Sequence, residues 1–242
     1  MSYIFREHIK QSLAVIAFLI TLTACTSESY DAGDGPNSYL TADLVLLHTS
    51  QDKSVRSALL DDGTTLQFSN PFAQDWLTRP DSVYRALLYY DKTVAASDAA
   101  ASNPTATSIV RARSVRPVSV LRPVEAEDME TLRTDPVGFE SLWMSKNGSY
   151  INLSLLLKSG KTEADDALHA LGIVSHGTTT DADRRRTLHL TLYHDQGGVP
   201  TYYTVQQYVS IPTQFLEEAD TVELTLNTYN GKKVMKVAVS NL

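Results

Sequence analysis

Apolar and polar residues alternate along most of the chain with a period of two, the signature of half-buried strands rather than helices. The alternation is clearest after residue 150. Ile151, Leu153, Leu155 and Leu157 share one face of a strand, and Leu188, Leu190 and Leu192 share one face of another. Val222, Leu224 and Leu226 repeat the pattern, and Asn230-Gly231, a pair suited to a type I′ turn, leads into Met235, Val237 and Val239. Phe139 to Ser145, Ala167 to Ser175 and Tyr202 to Ile211 read as further strands. Residues 138–242 therefore predict a sandwich of about seven short strands.

The segment 38–123 carries a second, weaker set. Leu40 to His48 and Ser82 to Tyr90 read as strands, and Arg56 to Leu60 and Thr64 to Phe68 flank Asp62-Gly63, a pair that accepts a tight hairpin. Phe72 to Leu77 predicts a short helical turn after Pro71. Ala95 to Thr107 is an Ala, Ser and Asn loop around Pro104, followed by the Val- and Arg-rich run Ser108 to Leu121. About five strands of this length suit a small barrel. Between the two sets, Val124 to Val137 is acidic, contains Pro136 and lacks alternation. It predicts a linker at 124–137, the first place a protease would cut. The fold class is thus all-β, a barrel followed by a sandwich.

Residues 1–24 break the pattern. Arg6 and Lys10 precede an apolar stretch from Leu13 to Leu22, and small residues precede Cys25. That is the order of a secretory signal peptide, and the stretch is too short for the roughly 20 residues that span a bilayer. Leu22-Thr23-Ala24-Cys25 resembles the lipobox of bacterial lipoproteins, which implies cleavage before Cys25 and acyl chains on its thiol. Each buried methylene contributes about 0.8 kcal/mol, so several chains hold a protein stably at a membrane. Thr26 to Asn37 is Ser, Asp, Gly and Pro with almost nothing apolar, which makes 25–37 a lipidated tether.

Cys25 is the sole cysteine, so no internal disulfide is available. The formal net charge is −7, and −8 once Arg6, Glu7 and Lys10 leave with the leader, which disfavours nucleic acid as a partner. No Gly-x-Ser-x-Gly elbow is present. His189 and His194, five apart, point to opposite faces of a strand, and His169 and His176 fail by the same parity, so neither pair is expected to hold a metal. No catalytic residue, metal site or cofactor is expected.

Several strings together resemble the NigD-like lipoproteins of gut and oral Bacteroidota: Leu59-Leu60-Asp61-Asp62-Gly63-Thr64-Thr65-Leu66, Tyr150-Ile151-Asn152-Leu153, Leu188 to Asp195, Tyr208-Val209-Ser210 and Leu226 to Gly231. The resemblance implies an OB-like first domain, an immunoglobulin-like second one and a place in the cell envelope, at the outer membrane, on the periplasmic or surface face. It implies no reaction.

The expected function is non-enzymatic: a lipid-anchored protein bound to the membrane through its anchor, whose ligand is an envelope protein or a glycan. A bacteriocin-immunity protein is the alternative, and a hydrolase without a recognisable motif is a second. A Gly197-Gly198 hairpin would set Tyr193 opposite Tyr202 and Leu192 opposite Tyr203, making an aromatic binding platform. Asp81-Ser82-Val83 and Asp220-Thr221-Val222 resemble a bacterial O-glycosylation acceptor, with Ser82 and Thr221 as the hydroxyls.

Overall fold

The protein is described by a computed structural model, which places residues 40–92, 108–161, 168–216 and 219–239. The strands β1 (Leu40–Thr49), β2 (Val55–Leu60), β3 (Thr65–Phe72), β4 (Val83–Lys92) and β5 (Ser108–Pro117) close into a barrel in the order β1-β2-β3-β5-β4. Closure removes the free edges that an open five-stranded sheet would present. Val45, Leu47, Ala58, Leu66, Ala86, Leu88 and Val110 fill the interior. The expected hairpin joins β2 to β3. Gly63 adopts φ +88°, and Asp62 Oδ1 accepts the Thr64 amide at 2.9 Å. The expected helical turn at Phe72 to Leu77 is not helical. β3 runs on through Pro71 to Phe72, and one turn bonded from the Leu77 amide to the Gln74 carbonyl drops Leu77 into the barrel core.

Nine further strands build the sandwich: β6 (Ser119–Val120), β7 (Pro123–Glu125), β8 (Gly138–Met144), β9 (Tyr150–Ser159), β10 (Ala170–Thr180), β11 (Arg186–Asp195), β12 (Tyr203–Pro212), β13 (Thr221–Thr228) and β14 (Gly231–Ala238). One sheet has the order β14-β13-β11-β10-β7 and the other β6-β12-β9-β8. Alternating leucines from both sheets meet in one core, among them Leu153, Leu155, Leu190, Leu192, Leu224 and Leu226. Burying each such side chain contributes about 1.5–3 kcal/mol.

Three expectations are corrected here. Residues 124–137 are not a linker. β6 pairs with β12 and β7 with β10, both in parallel, so the sandwich begins at Ser119. His194 then bonds the backbone of Arg133 and Asp135, and the Val137 amide bonds Asn227. The segment is held mainly by hydrogen bonds, with only Val137 of its residues joining the apolar core, which is why it shows no alternation. Second, Tyr193 and Tyr202 do not pair. Both edges of β11 are occupied, by antiparallel β10 and parallel β13, while β12 pairs with β9 in the other sheet. Gln196 to Tyr202 is therefore a crossing between sheets. Third, the hairpin between β13 and β14 turns on Tyr229 and Asn230 at negative φ, with the positive φ (+102°) on Gly231, so it is not type I′.

Candidate functional site

β4 explains where the molecule concentrates its chemistry. Ala86, Leu88 and Tyr90 point into the barrel, so Arg85, Leu87 and Tyr89 point out of it. Arg85 and Leu87 are nonetheless buried, because the outer face of β9 and β12 covers them. Barrel and sandwich belong to one compact unit, Leu40 to Leu242.

At the closed end of this seam the Arg85 side chain is 1% exposed and grips Asp61 bidentately, at 2.5 and 2.7 Å. It also donates to Asn152 Oδ1 at 3.1 Å and Ser210 Oγ at 3.2 Å, and its guanidinium lies 4.3 Å from the centre of the Tyr150 ring. The Ser210 hydroxyl donates to Asn152 Oδ1 and the Asn152 amide to Asp61 Oδ2. Every heteroatom in the group thus has a partner, which a buried ion pair needs to offset its desolvation. Asp61, Asn152 and Ser210 lie in three of the strings singled out in the sequence. What they share is a joint between domains.

In mid-seam Leu44, Leu87 and Val118 pack with Tyr89, Trp143 and Tyr208. Trp143 and Tyr208 meet edge to face, with ring centres 6.4 Å apart. Beyond them the two faces diverge into an open cleft of about 420 Å³. Its barrel wall carries Asp43, Asp62 and Tyr89, and its sandwich wall Glu140, Trp143, Gln206 and Tyr208. The register of β8 against β9 shifts between Phe139 and Ser141, a bulge that leaves Glu140 without a cross-strand partner. Glu140 accepts hydrogen bonds from the Ser154 hydroxyl at 2.6 Å and from the Gln206 amide, which hold its carboxyl below the usual glutamate range. The Tyr90 hydroxyl donates to Asp43 at 2.8 Å, and burial and that carboxylate raise the phenol above its ordinary range. For Asp62, partial burial opposes ionisation, but the Thr64 amide and Lys146 prevail and lower its pKa.

The residues picked out in the sequence lie elsewhere. Cys25 falls outside the described residues. Tyr193 packs over Gly172, and Tyr202 is 80% exposed beside Gly160, where a Cβ would come within 2.9 Å of its ring. Ser82 is half-buried and its hydroxyl donates to Pro80 O, while Thr221 opens β13 opposite Thr187. The histidines pair differently from the combinations weighed in the sequence. His169 Nδ1 meets His194 Nε2 at 3.0 Å, and burial and the neighbouring imidazole lower the pKa of His169. On the outer sheet face, Thr179 Oγ1 lies 2.8 Å from His189 Nε2, and His189 Nδ1 lies 3.2 Å from Glu223 Oε1. That is the order of a nucleophile, base and orienting acid. Thr179 is exposed, however, and Lys236 shares the Glu223 carboxylate. The row is a cross-strand ladder on a polar face. Among the described residues no group of three or more His, Cys, Asp or Glu is placed to hold a metal ion.

Arg85 and the cleft residues Glu140 and Trp143 were not singled out from the sequence. One signal was available for Arg85. The run Ala86 to Tyr90 is uninterruptedly apolar, as in strands covered on both faces.

Residues 120–239, from the end of β6 onward, match the family described as the NigD-like C-terminal beta sandwich domain. This part of the chain is a NigD-like C-terminal beta sandwich domain. A NigD-like immunity protein from Bacteroides caccae shares its fold, with 22% identity and a TM-score of 0.59 over 81% of this chain and 91% of that one. A candidate lipoprotein from Bacteroides fragilis is 14% identical, with a TM-score of 0.58 over 83% and 98%. A protein of unknown function from Bacteroides vulgatus is 16% identical, with a TM-score of 0.57 over 83% and 92%. These likenesses extend the shared NigD-like fold through the barrel. No curated protein matches the sequence.

Proposed function

We propose that this NigD-like protein is a lipid-anchored, non-enzymatic binding protein of the cell envelope, and that the cleft between barrel and sandwich is its binding site. The observation that carries the reading is the cleft itself. It joins aromatic walls to fixed polar groups in a depression about the size of an ordinary ligand site, on a seam that is otherwise closed. The anchor rests on the Leu22-Thr23-Ala24-Cys25 string and on the candidate lipoprotein among its structural neighbours. The likeness to a NigD-like immunity protein of Bacteroides caccae supports a second reading, in which the ligand is a toxin and the role immunity.

Hydrogen exchange on the purified protein, alone and with envelope extract, tests the site. Protection is expected at residues 140–146 and 206–208. Protection confined to the β10 and β11 face would overturn it. For the anchor, Cys25→Ala is expected to leave an unprocessed precursor without lipid by intact mass, and a lipid-free mature wild-type protein would refute it.

A further inference from the structure

If the cleft is the binding site, as proposed above, the hydrogen bonding of its lining also selects what enters it. The donors beside Glu140 are engaged. The Ser154 hydroxyl donates to Glu140 Oε2, and the Gln206 amide nitrogen donates to both Glu140 Oε2 and Ser154 Oγ. On the barrel side the Tyr90 hydroxyl, which points into the barrel, donates to Asp43 Oδ2. No described residue donates to Glu140 Oε1 or to Asp43 Oδ1, and both residues line the cleft, so each wall carries a carboxylate oxygen without a partner among the described residues. The remaining charges do not change the sign. Asp61 is matched by Arg85, and Lys146 lies 3.9 Å from Asp62.

These features discriminate between ligand classes. An anion is repelled. A neutral glycan brings no charge to pair with Glu140 and Asp43, and its hydroxyls bring acceptors as well as donors to carboxylate oxygens that only accept. An ammonium or guanidinium group carries donors only, matches the carboxylates, and is attracted to the faces of Trp143, Tyr208 and Tyr89. β8, which carries Glu140 and Trp143, is the edge strand of its sheet, so an extended polypeptide can lie along it and pair with its backbone. The chain's net charge of −7 favours encounter with a basic partner. We infer that the cleft receives a lysine or arginine side chain of a partner polypeptide, held between Glu140 and Asp43 against the Trp143 and Tyr208 rings.

Trp143 and Trp76 are the two tryptophans, so Trp76→Phe leaves Trp143 as a sole reporter inside the cleft. Three probes are titrated into that variant: a blocked peptide of alternating arginine and threonine, the same peptide with glutamate for arginine, and maltohexaose. The arginine peptide is expected to change Trp143 emission, with affinity falling as salt rises, and the other two to be silent. Glu140→Gln with Asp43→Asn should weaken the arginine peptide about tenfold or more, a loss of about 1.4 kcal/mol or more. The charge-matched control Glu125→Gln with Glu127→Gln, on residues outside the cleft, should leave it unchanged. A control that weakens binding equally, or a wild-type affinity indifferent to salt, overturns the inference, and the salt result stands even if the double variant fails to fold. A response to maltohexaose alone overturns the cation but keeps the site. Silence toward every probe, with exchange protection mapping elsewhere, overturns both.

Discussion

One pair of surfaces, the outer face of β4 and the outer face of β9 and β12, makes two unlike regions. At the Arg85 end it closes on a guanidinium whose partners come from both domains, and at the Glu140 end it opens into a cleft lined by groups of the same chemical types. The difference lies in how the charges are satisfied. Asp61 meets a cation inside the protein and is committed to structure. Glu140 meets only a hydroxyl and an amide, keeps one oxygen unbonded, and remains available. A carboxylate is structural or receptive according to whether the chain supplies its counterion.

The largest effect expected from breaking this contrast is at Arg85. Arg85→Met leaves the partly buried Asp61 without its counterion and strands Asn152 and Ser210, which are closed to water. It should cost about 3–5 kcal/mol. Removing both charges with Arg85→Met and Asp61→Leu should recover most of the loss, because the desolvation of both ions disappears with them. Urea unfolding followed by circular dichroism measures both. The single variant should also split one transition into two, as the barrel loses its hold on the sandwich. A cost below about 1 kcal/mol would mean that the Arg85 pair is not what closes the seam.

Leu87 lies between the two regions and sharpens the comparison. It is buried with Leu44 and Val118 in the apolar part of the seam, on the face of β4 that points away from the barrel core. Leu87→Ala should cost about 2–3 kcal/mol through lost burial and a residual cavity. Trp143 packs against the same cluster, so its emission should shift in this variant without any ligand. An unchanged stability would show that the barrel does not need the sandwich at this position.

The elements of both domains were legible because alternation is local. Ile151 to Leu157 and Leu188 to Leu192 announce their strands by themselves, and Asp62-Gly63 announces its hairpin. The joint was not legible. Arg85 finds Asp61, Asn152 and Ser210 at separations of 24, 67 and 125 residues, and nothing local to any of them records the others. The Tyr193 and Tyr202 platform shows the opposite error. Neighbouring strands were given neighbouring places, and the apolar register agreed, but in a sandwich the same apolar faces can meet across the core instead of along one sheet. Glu140 was hidden for a third reason. Its orientation comes from a bulge, and one extra residue in a strand leaves no mark on composition.

The smallest effect belongs to the open end, and its pH dependence distinguishes it from the closed one. Hydrogen bonds from Ser154 and Gln206 favour the ionised form of Glu140 and depress its pKa from the ordinary value of 4.5. A carboxyl with a lowered folded-state pKa adds stability that is present above the unfolded value and is lost as pH falls through the folded one. The wild-type protein and Glu140→Gln should therefore differ by a constant increment in Tm near neutrality, since the amide accepts the same bonds without the charge. That increment should shrink below about pH 4.5 and vanish once Glu140 is protonated, because the acid then resembles the amide. Thermal melts of both proteins across this range measure the difference directly, and acid effects common to the two cancel. A difference that stays constant into acid would mean that Glu140 is not held ionised by Ser154 and Gln206, and the available carboxylate at the mouth of the cleft would lose its basis.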